Sequence, residues 1–440
     1  MALKQSIDAL VVGAGPVGLA AALTLVREGH RRIEIIDEAE RRTGLSYALA
    51  LQPATLAVLD GLGVVTPLLA RGNRIERVAL YEGAARRAEL ELGALDRRHP
   101  FVLVVPQNEL EDALISALAD EGVHVRWRHR LRHLEEVRGA PTACVVDRLD
   151  AESSGYAVAN VGGVVAKTFE LEVPWVLGAD GHDSLVRRQL GIELGAVAPA
   201  GTVAVFEIEG EPLPSSPAAR EARRELRLTF SGGLRSVWWP LPGSRTRLGF
   251  ELPADQVATA ERSKSRLPSI VPWLADTLDD RRVHELVAGR LPWHAAPTGR
   301  LMWSVAVSFE RALAESFGRG AVWLAGDAAH LAFPFGVQSM NQGILEAREL
   351  ATRGGRFVAG AAGLDELETY GSERWAHWRA LLAPPDTPAP AAGASSGDPW
   401  LAEHGRGIVE ALPVAADDAE QLLHGVAAER GESRRSSTSG

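Results

Sequence analysis

The stretch Ala9-Leu10-Val11-Val12-Gly13-Ala14-Gly15-Pro16-Val17-Gly18-Leu19-Ala20 decides the fold. A strand over Ile7–Val12, apolar from Ala9 on, stops at Gly13, and a helix opens at Pro16 and continues to Glu28. Between strand and helix stands a Gly-x-Gly-x-x-Gly turn. Gly13 permits the tight bend, Gly15 lets backbone approach a pyrophosphate, and Gly18 lets the helix pack closely on the sheet. Pro16 and Val17 occupy the first helical turn, whose unpaired N–H groups favour anions. A second strand over Arg32–Ile36 runs into Asp37, 24 residues after Gly13, where a carboxylate can accept from both hydroxyls of a ribose. That acid repels a 2′-phosphate, so FAD and NAD(H) both suit this site and NADP(H) does not. An incidental glycine turn is the bland alternative; the flanking strands and the terminal acid weigh against it.

Outward from this turn, the 440 residues are 46% apolar and 24% charged, an ordinary globular composition. The net charge of −10 speaks against a nucleic-acid partner, which needs a basic face. Cys144 is the one cysteine, so neither an intrachain disulfide nor a cysteine metal cluster can form, and no metal site is expected. The apolar run Ala9–Val26 is broken by three glycines and Pro16, and no other stretch is long enough to span a bilayer. A cytoplasmic protein is the expectation. Helices are expected at Pro53–Gly61, Gln107–Glu121 and Gln338–Arg353, with a buried strand at Val322–Ala325. Strands dominate from Gly201 to Pro253, including Leu226–Phe230, Arg235–Trp239 and Thr246–Phe250. Ala383–Pro399 reads as a Pro/Ala/Gly/Ser linker, Ala415–Glu429 as a short helix and Glu432–Gly440 as a polar tail.

Two later segments separate FAD from NAD(H). They are Val176-Leu177-Gly178-Ala179-Asp180-Gly181-His182-Asp183-Ser184-Leu185-Val186-Arg187 and Trp323-Leu324-Ala325-Gly326-Asp327-Ala328-Ala329-His330. With the first motif, in this order and spacing, the chain over about residues 6–382 resembles the para-hydroxybenzoate hydroxylase family of FAD-dependent monooxygenases (class A). The resemblance implies an α/β fold: a Rossmann-like FAD-binding domain (GR2-type) with an inserted β-sheet substrate domain. The FAD domain would be assembled from 1–75, 100–190 and 300–382, the substrate domain from 76–99 and 191–299, and 383–440 would lie outside both. It further implies that Asp327 binds a ribityl hydroxyl, with Gly326 shaping its turn. Asp180 and Gly181 would support the flavin and a transient nicotinamide site. Gln107 would meet the phosphates or ribityl chain, and the Leu131 backbone the adenine. Pro334, Met340 and Asn341 would frame a helix start facing the flavin's pyrimidine end. His330 is expected to order its loop rather than transfer protons.

The match has departures. Val337 and Ser339 replace small glycines of the family's turn, while Tyr47 and Ala54 stand where relatives often carry arginine. Trp238, Trp239, Trp273, Trp293 and Trp303 concentrate in the substrate region. Neighbours on a strand point to opposite faces, so only one of Trp238 and Trp239 can face a given pocket. Trp239, Trp293, His294, Phe335 and Val337 are the substrate candidates, although core packing is the commoner fate of a tryptophan. No catalytic base suggests itself. In this chemistry a C4a-hydroperoxyflavin carries the reactive oxygen, and the protein positions substrate and excludes water. The function implied is single-component oxygenation of a small aromatic or polyketide-like molecule, as in secondary metabolism, with NADPH or NADH as transient reductant and O2 as co-substrate. Hydroxylation, epoxidation and Baeyer–Villiger insertion stay open. A flavoprotein reductase or dehydrogenase is the alternative, and a non-catalytic flavin-binding partner a remoter one. A halogenase would need a tunnel lysine, and the three lysines Lys4, Lys167 and Lys264 are poorly placed for it.

Overall fold

A computed structural model describes residues 7–41, 50–95, 97–136, 139–150, 164–210, 217–253, 278–294, 299–382 and 399–437. Tyr47, Lys4, Lys264, Trp273 and the expected linker up to residue 398 lie outside the described residues. No helix among the described residues is long and apolar enough to cross a membrane.

The first sheet has six strands in the order Gly318–Arg319, Val322–Leu324, Trp175–Gly178, Ala9–Val12, Ile33–Asp37, Val125–Trp127. All its pairings are parallel except the first, which is antiparallel. Its central strand, Ala9–Val12, is buried throughout, as a parallel strand covered on both faces must be. The chain leaves that strand toward Ile33–Asp37 on one side and returns later as Trp175–Gly178 on the other. The glycine turn therefore sits where strand order reverses, the place where open α/β sheets bind ligands. Helix Pro16–Arg27, buried over ten of its twelve residues, packs on this sheet together with helix Gln338–Val358.

The second sheet has eight strands: His330–Leu331, Arg300–Ala314, Leu194–Glu209, Arg245–Leu252, Leu234–Pro240, Glu225–Ser231, Arg77–Glu82, Ala85–Glu91. Only Glu225–Ser231 beside Arg77–Glu82 is a parallel pairing. Alternation gives this sheet two distinct faces. Val203, Val237 and Trp239 face one core; Ala204, Phe206, Leu248 and Phe250 face another, covered by helix Asp280–Arg290.

Two expectations need correction. Arg300–Ala314 does not start the returning FAD domain; it pairs with Leu194–Glu209 along its length and belongs to the large sheet. The reason is its own alternation, Trp303, Val305, Val307 and Phe309, which matches a sheet face rather than a connection. The C-terminal part beyond residue 398 does not lie apart from both domains as one short helix and a polar tail. Helices Pro399–Ala411 and Ala416–Ser437 close over the large sheet, burying Trp400, Leu401, Ile408, Leu412, Val414 and Leu422 in its core.

Candidate active site

The glycines of the first motif do three different things. Gly13 has φ +105°, and a Cβ there would lie 2.2 Å from the Ala179 carbonyl oxygen, so it is required by the backbone alone. A Cβ on Gly18 would lie 2.0 Å from the Gly13 oxygen, so helix and turn could not close with any other residue. A Cβ on Gly15 would meet nothing within 4 Å. Protein packing thus makes no demand for glycine at 15; the open space beside that backbone is what a pyrophosphate needs. Asp37 closes the far wall, accepting from Ala14 N and Ala39 N at 2.8 Å each.

The second and third motifs converge on the same region. Asp180 Oδ2 accepts from Leu185 N (2.7 Å) and Val186 N (3.1 Å), capping helix Leu185–Gln189, while Oδ1 is buried without a partner. Burial pushes this carboxyl's pKa up, opposed by bonds from Ser184 and the backbone. Gly181, at φ +77°, turns the chain beside it. Arg187 then ties the two motifs together, donating to Ala328 O and His182 O at 2.8 Å each. Desolvation by the neighbouring protein raises the pKa of Asp327, against the opposing charges of His330 and His182. Its side chain nonetheless reaches solvent. Gly326, at φ +63°, sits against Val17, and Gly343 of the long helix packs within 3.0 Å of Gly326 at its Cβ position. All three motifs meet there.

Beneath this junction lies a cluster that the sequence did not announce. Glu346 accepts from His330 Nε2 at 2.6 Å, from the Trp378 indole N–H, and from Gly326 N at 3.4 Å. Burial works to raise the Glu346 pKa, but His330 and these bonds outweigh it and hold the pKa below the usual carboxylate range. His330, fully buried and stacked on Trp378 at 3.6 Å, orders its loop. A histidine and a glutamate 16 residues apart carry no recognisable spacing, and only the fold brings them together.

The turn Pro334–Val337 closes by Val337 N donating to Pro334 O (3.0 Å), and Val337 caps the long helix at φ +47°, ψ +38°. A β-branched residue in the left-handed region is an outlier. Ser339 compensates for one missing glycine by accepting from Ala332 N at 3.0 Å, which closes the loop. Asn341 is fully buried: its amide donates to Ala50 O and Val337 O and accepts from Gln52 N, so it braces the frame. Met340 packs half-buried at the edge of the first core. Gln107 opens its helix and donates to Glu111 Oε1 (2.8 Å). Leu131 is a buried strand residue paired with Val146, its register shifted by a bulge. Ala54 sits in the first turn of helix Pro53–Gly61.

Beside the turn is an apolar cavity of about 80 Å3, walled by Val203, Val237, Trp239, Phe309, Phe335 and Val337. Trp293 and His294 are not part of it. Trp293 stacks on Tyr81 (4.9 Å) and donates to Thr229 Oγ1 (3.0 Å), while His294 lies against Trp238 and Trp293. With Trp238 they occupy the opposite face of the large sheet, where burial and Arg227 lower the His294 pKa. A larger cleft of about 550 Å3 lies between that sheet, helix Leu364–Leu381 and the C-terminal helices, and no residue of the three motifs lines it. Lys167 is exposed over the Phe169 ring, outside both cavities.

The arrangement is that of a site for FAD, and residues 6–384 match the family described as "FAD binding domain". The chain belongs to this FAD-binding family of para-hydroxybenzoate hydroxylase-like flavoproteins. Within it, the chain is 29% identical over 367 residues to 6-methylpretetramide 4-monooxygenase of Streptomyces rimosus, covering 83% of this chain and 58% of that protein. It is 26% identical to rifampicin monooxygenase of Rhodococcus hoagii, covering 83% and 67%. The chain thus spans about three fifths of the length of the first of these relatives. In fold it is similar to p-nitrophenol 4-monooxygenase PnpA of Pseudomonas putida DLL-E4 (TM-score 0.70, 20% identity, 96% of this chain and 97% of that one). It is also similar to aklavinone-11 hydroxylase (TM-score 0.64, 21% identity, 84% and 66%).

FAD fits this family member on three observations: the open side of Gly15, the unpartnered Asp180 Oδ1, and the solvent-reaching Asp327 carboxylate beside the third motif's turn.

Proposed function

We propose that the protein is a single-component FAD-dependent monooxygenase that uses NAD(P)H and O2 to oxygenate an aromatic or polyketide-like molecule. The observation that carries this reading is the convergence of the three cofactor motifs, with a small apolar cavity against the Pro334–Val337 turn at the start of the long helix whose Gly343 packs on the third motif. FAD, when bound, supplies the redox chemistry that couples oxidation of NAD(P)H to insertion of oxygen. The protein's share is binding, orientation and exclusion of water. The backbone N–H groups of Gly15, Val17 and Gly18 hold the pyrophosphate, and Asp37 takes the ribose hydroxyls. Asp327 accepts from the ribityl chain and Asp180 from the flavin side, with Gln107 and the Leu131 backbone completing the dinucleotide's surroundings. Trp239, Phe335 and Val337 form the wall that meets substrate. Relatives named for 6-methylpretetramide, anhydrotetracycline and rifampicin support an aromatic or polyketide-like molecule.

The test begins with the colour of the purified protein and the ratio of flavin to chain. Asp37→Ala should weaken FAD binding by about 1.5–3 kcal/mol, the worth of a hydrogen bond to a charged group. Unchanged affinity would place the adenosine elsewhere. With a panel of polycyclic phenols and NAD(P)H, product formed under 18O2 should carry the label; consumption of NAD(P)H with unlabelled product would point to a reductase instead.

A further inference from the structure

Val337 holds a backbone conformation that its branched side chain disfavours, so something outside the turn must impose it. The constraints come from two sides. On one, Gln52 Nε2 donates to Gly336 O (3.0 Å) and Gln338 Oε1 (3.1 Å), and Asn341 Nδ2 donates to Val337 O (2.8 Å). On the other stands the connection between the two C-terminal helices. Gln338 Nε2 donates to Leu412 O (3.1 Å) and Val414 O (3.0 Å). Gly336 is pressed so closely on Glu410 that a Cβ would lie 2.4 Å from its carbonyl oxygen. Gln52, Gln338 and Asn341 are at most 3% exposed, so each of these bonds is made away from water. The same Glu410 anchors the helix pair to the sheet, its carboxylate bridging Arg235 (2.5 Å) and Arg311 (2.8 Å).

We propose that the helix pair Pro399–Ala411 and Ala416–Ser437 is a positioning element of the active site, which through Gln338 clamps Val337 in its left-handed conformation. The clamp has two effects. It fixes the backbone N–H groups that open helix Gln338–Val358, and it lets a side chain, rather than a glycine's bare backbone, form the cavity wall at residue 337. A glycine would hold the same dihedrals with no clamp, but would leave that wall without Val337. The inference that this reaches the cofactor rests on the FAD reading above. Gln338 is a positioning residue; it acts through the turn.

Gln338→Leu removes both donors to the helix pair without adding charge. In the cofactor-free protein, amide exchange over residues 335–340 should quicken roughly tenfold, the scale of a left-handed penalty released. In the FAD-loaded protein the flavin should stay bound while its midpoint potential moves to a more negative value, since loosened N–H groups stabilise the reduced ring less. Adding Val337→Gly to Gln338→Leu should return the potential toward the parent value, because glycine needs no clamp to hold the turn. A purely structural contact would not be rescued this way. Unchanged exchange in Gln338→Leu overturns the clamp. Faster exchange with an unmoved potential, or no recovery in the double variant, overturns its action on the cofactor. Parent protein that binds no FAD would overturn the cofactor reading, and the exchange experiment would still judge the clamp.

Discussion

Val337 is where opposing residue-scale effects can be weighed. Its left-handed backbone costs about 1–2 kcal/mol, and Val337→Gly recovers that. Glycine in turn gives up roughly 0.5–1 kcal/mol of chain entropy and some contact in the cavity wall. The two nearly cancel, so Val337→Gly should change stability by no more than about 1 kcal/mol in a denaturant titration, where most shortenings of a packed side chain cost more. Its effect should appear in coupling instead: with the wall opened, more peroxide should form for each NAD(P)H consumed, measured beside product. Cys144 makes a plainer case. Burial pushes its thiol up to about 12, and it is 1% exposed, so a thiol reagent at neutral pH should label it only after unfolding. At this scale the sequence was legible wherever chemistry depends on backbone. Gly13 and Gly18 are required by contacts of 2.2 and 2.0 Å that no other residue could meet. Val337 was legible as an exception through the glycine it replaces. Glu346 was not legible, because a buried carboxylate on an amphipathic helix looks like a surface one until its partners His330 and Trp378 are placed.

Among the elements, helix Gln338–Val358 and the C-terminal helix pair have the clearest consequences. Glu346 on the former has its pKa held below the ordinary carboxylate value, so the sign of its pH effect follows. It adds stability above the ordinary carboxylate pKa of about 4.3 and withdraws it as pH falls through its own lower pKa. Glu346→Gln should therefore flatten the acid limb of a stability-against-pH curve. At neutral pH it should cost about 1–3 kcal/mol, because buried partners lose their acceptor. A curve parallel to that of the parent would show the carboxylate to be unpaired in solution. Deleting residues 383–440 should yield an aggregating or strongly destabilised protein, since the deletion bares the face formed by Leu226, Leu228, Phe230 and Trp239. A soluble, yellow truncation would show that packing to be dispensable. In the sequence this part looks separable, for a physical reason. Trp400, Leu401, Ile408 and Leu412 do recur at helical spacing, but Gly405 and Gly407 lower helix propensity between them, and the Pro/Ala/Gly/Ser run before them resembles a tether. Helix starts with sharper signals, at Pro16, Pro53 and Gln107, stand where the sequence put them.

Across the whole molecule, the sheets were legible in composition and only partly in membership. Alternation correctly restricts the cavity face to one of Trp238 and Trp239, and Trp239 takes it. It could not place Trp293 and His294, which follow a helix rather than lie on a strand, and so have no periodicity to fix their side of the sheet. Local pattern does not give the partner of Arg77–Glu82, although the family resemblance assigns 76–99 to the inserted sheet domain; the strand lies parallel beside Glu225–Ser231. That pairing sets a timetable. Arg77 aligns with Glu225, 148 positions later (225 minus 77), and a ribosome adding about 5–20 residues per second needs roughly 7–30 s to cover the interval. Through that time Val78 and Leu80, fully buried in the finished protein, have only the hairpin strand Ala85–Glu91 beside them, and the other edge of their strand stays open to any neighbouring nascent chain. The synthesis of this protein thus contains a fixed period of vulnerability, and its yield in a cell should depend on how that edge is sheltered while the rest of the sheet is still being made.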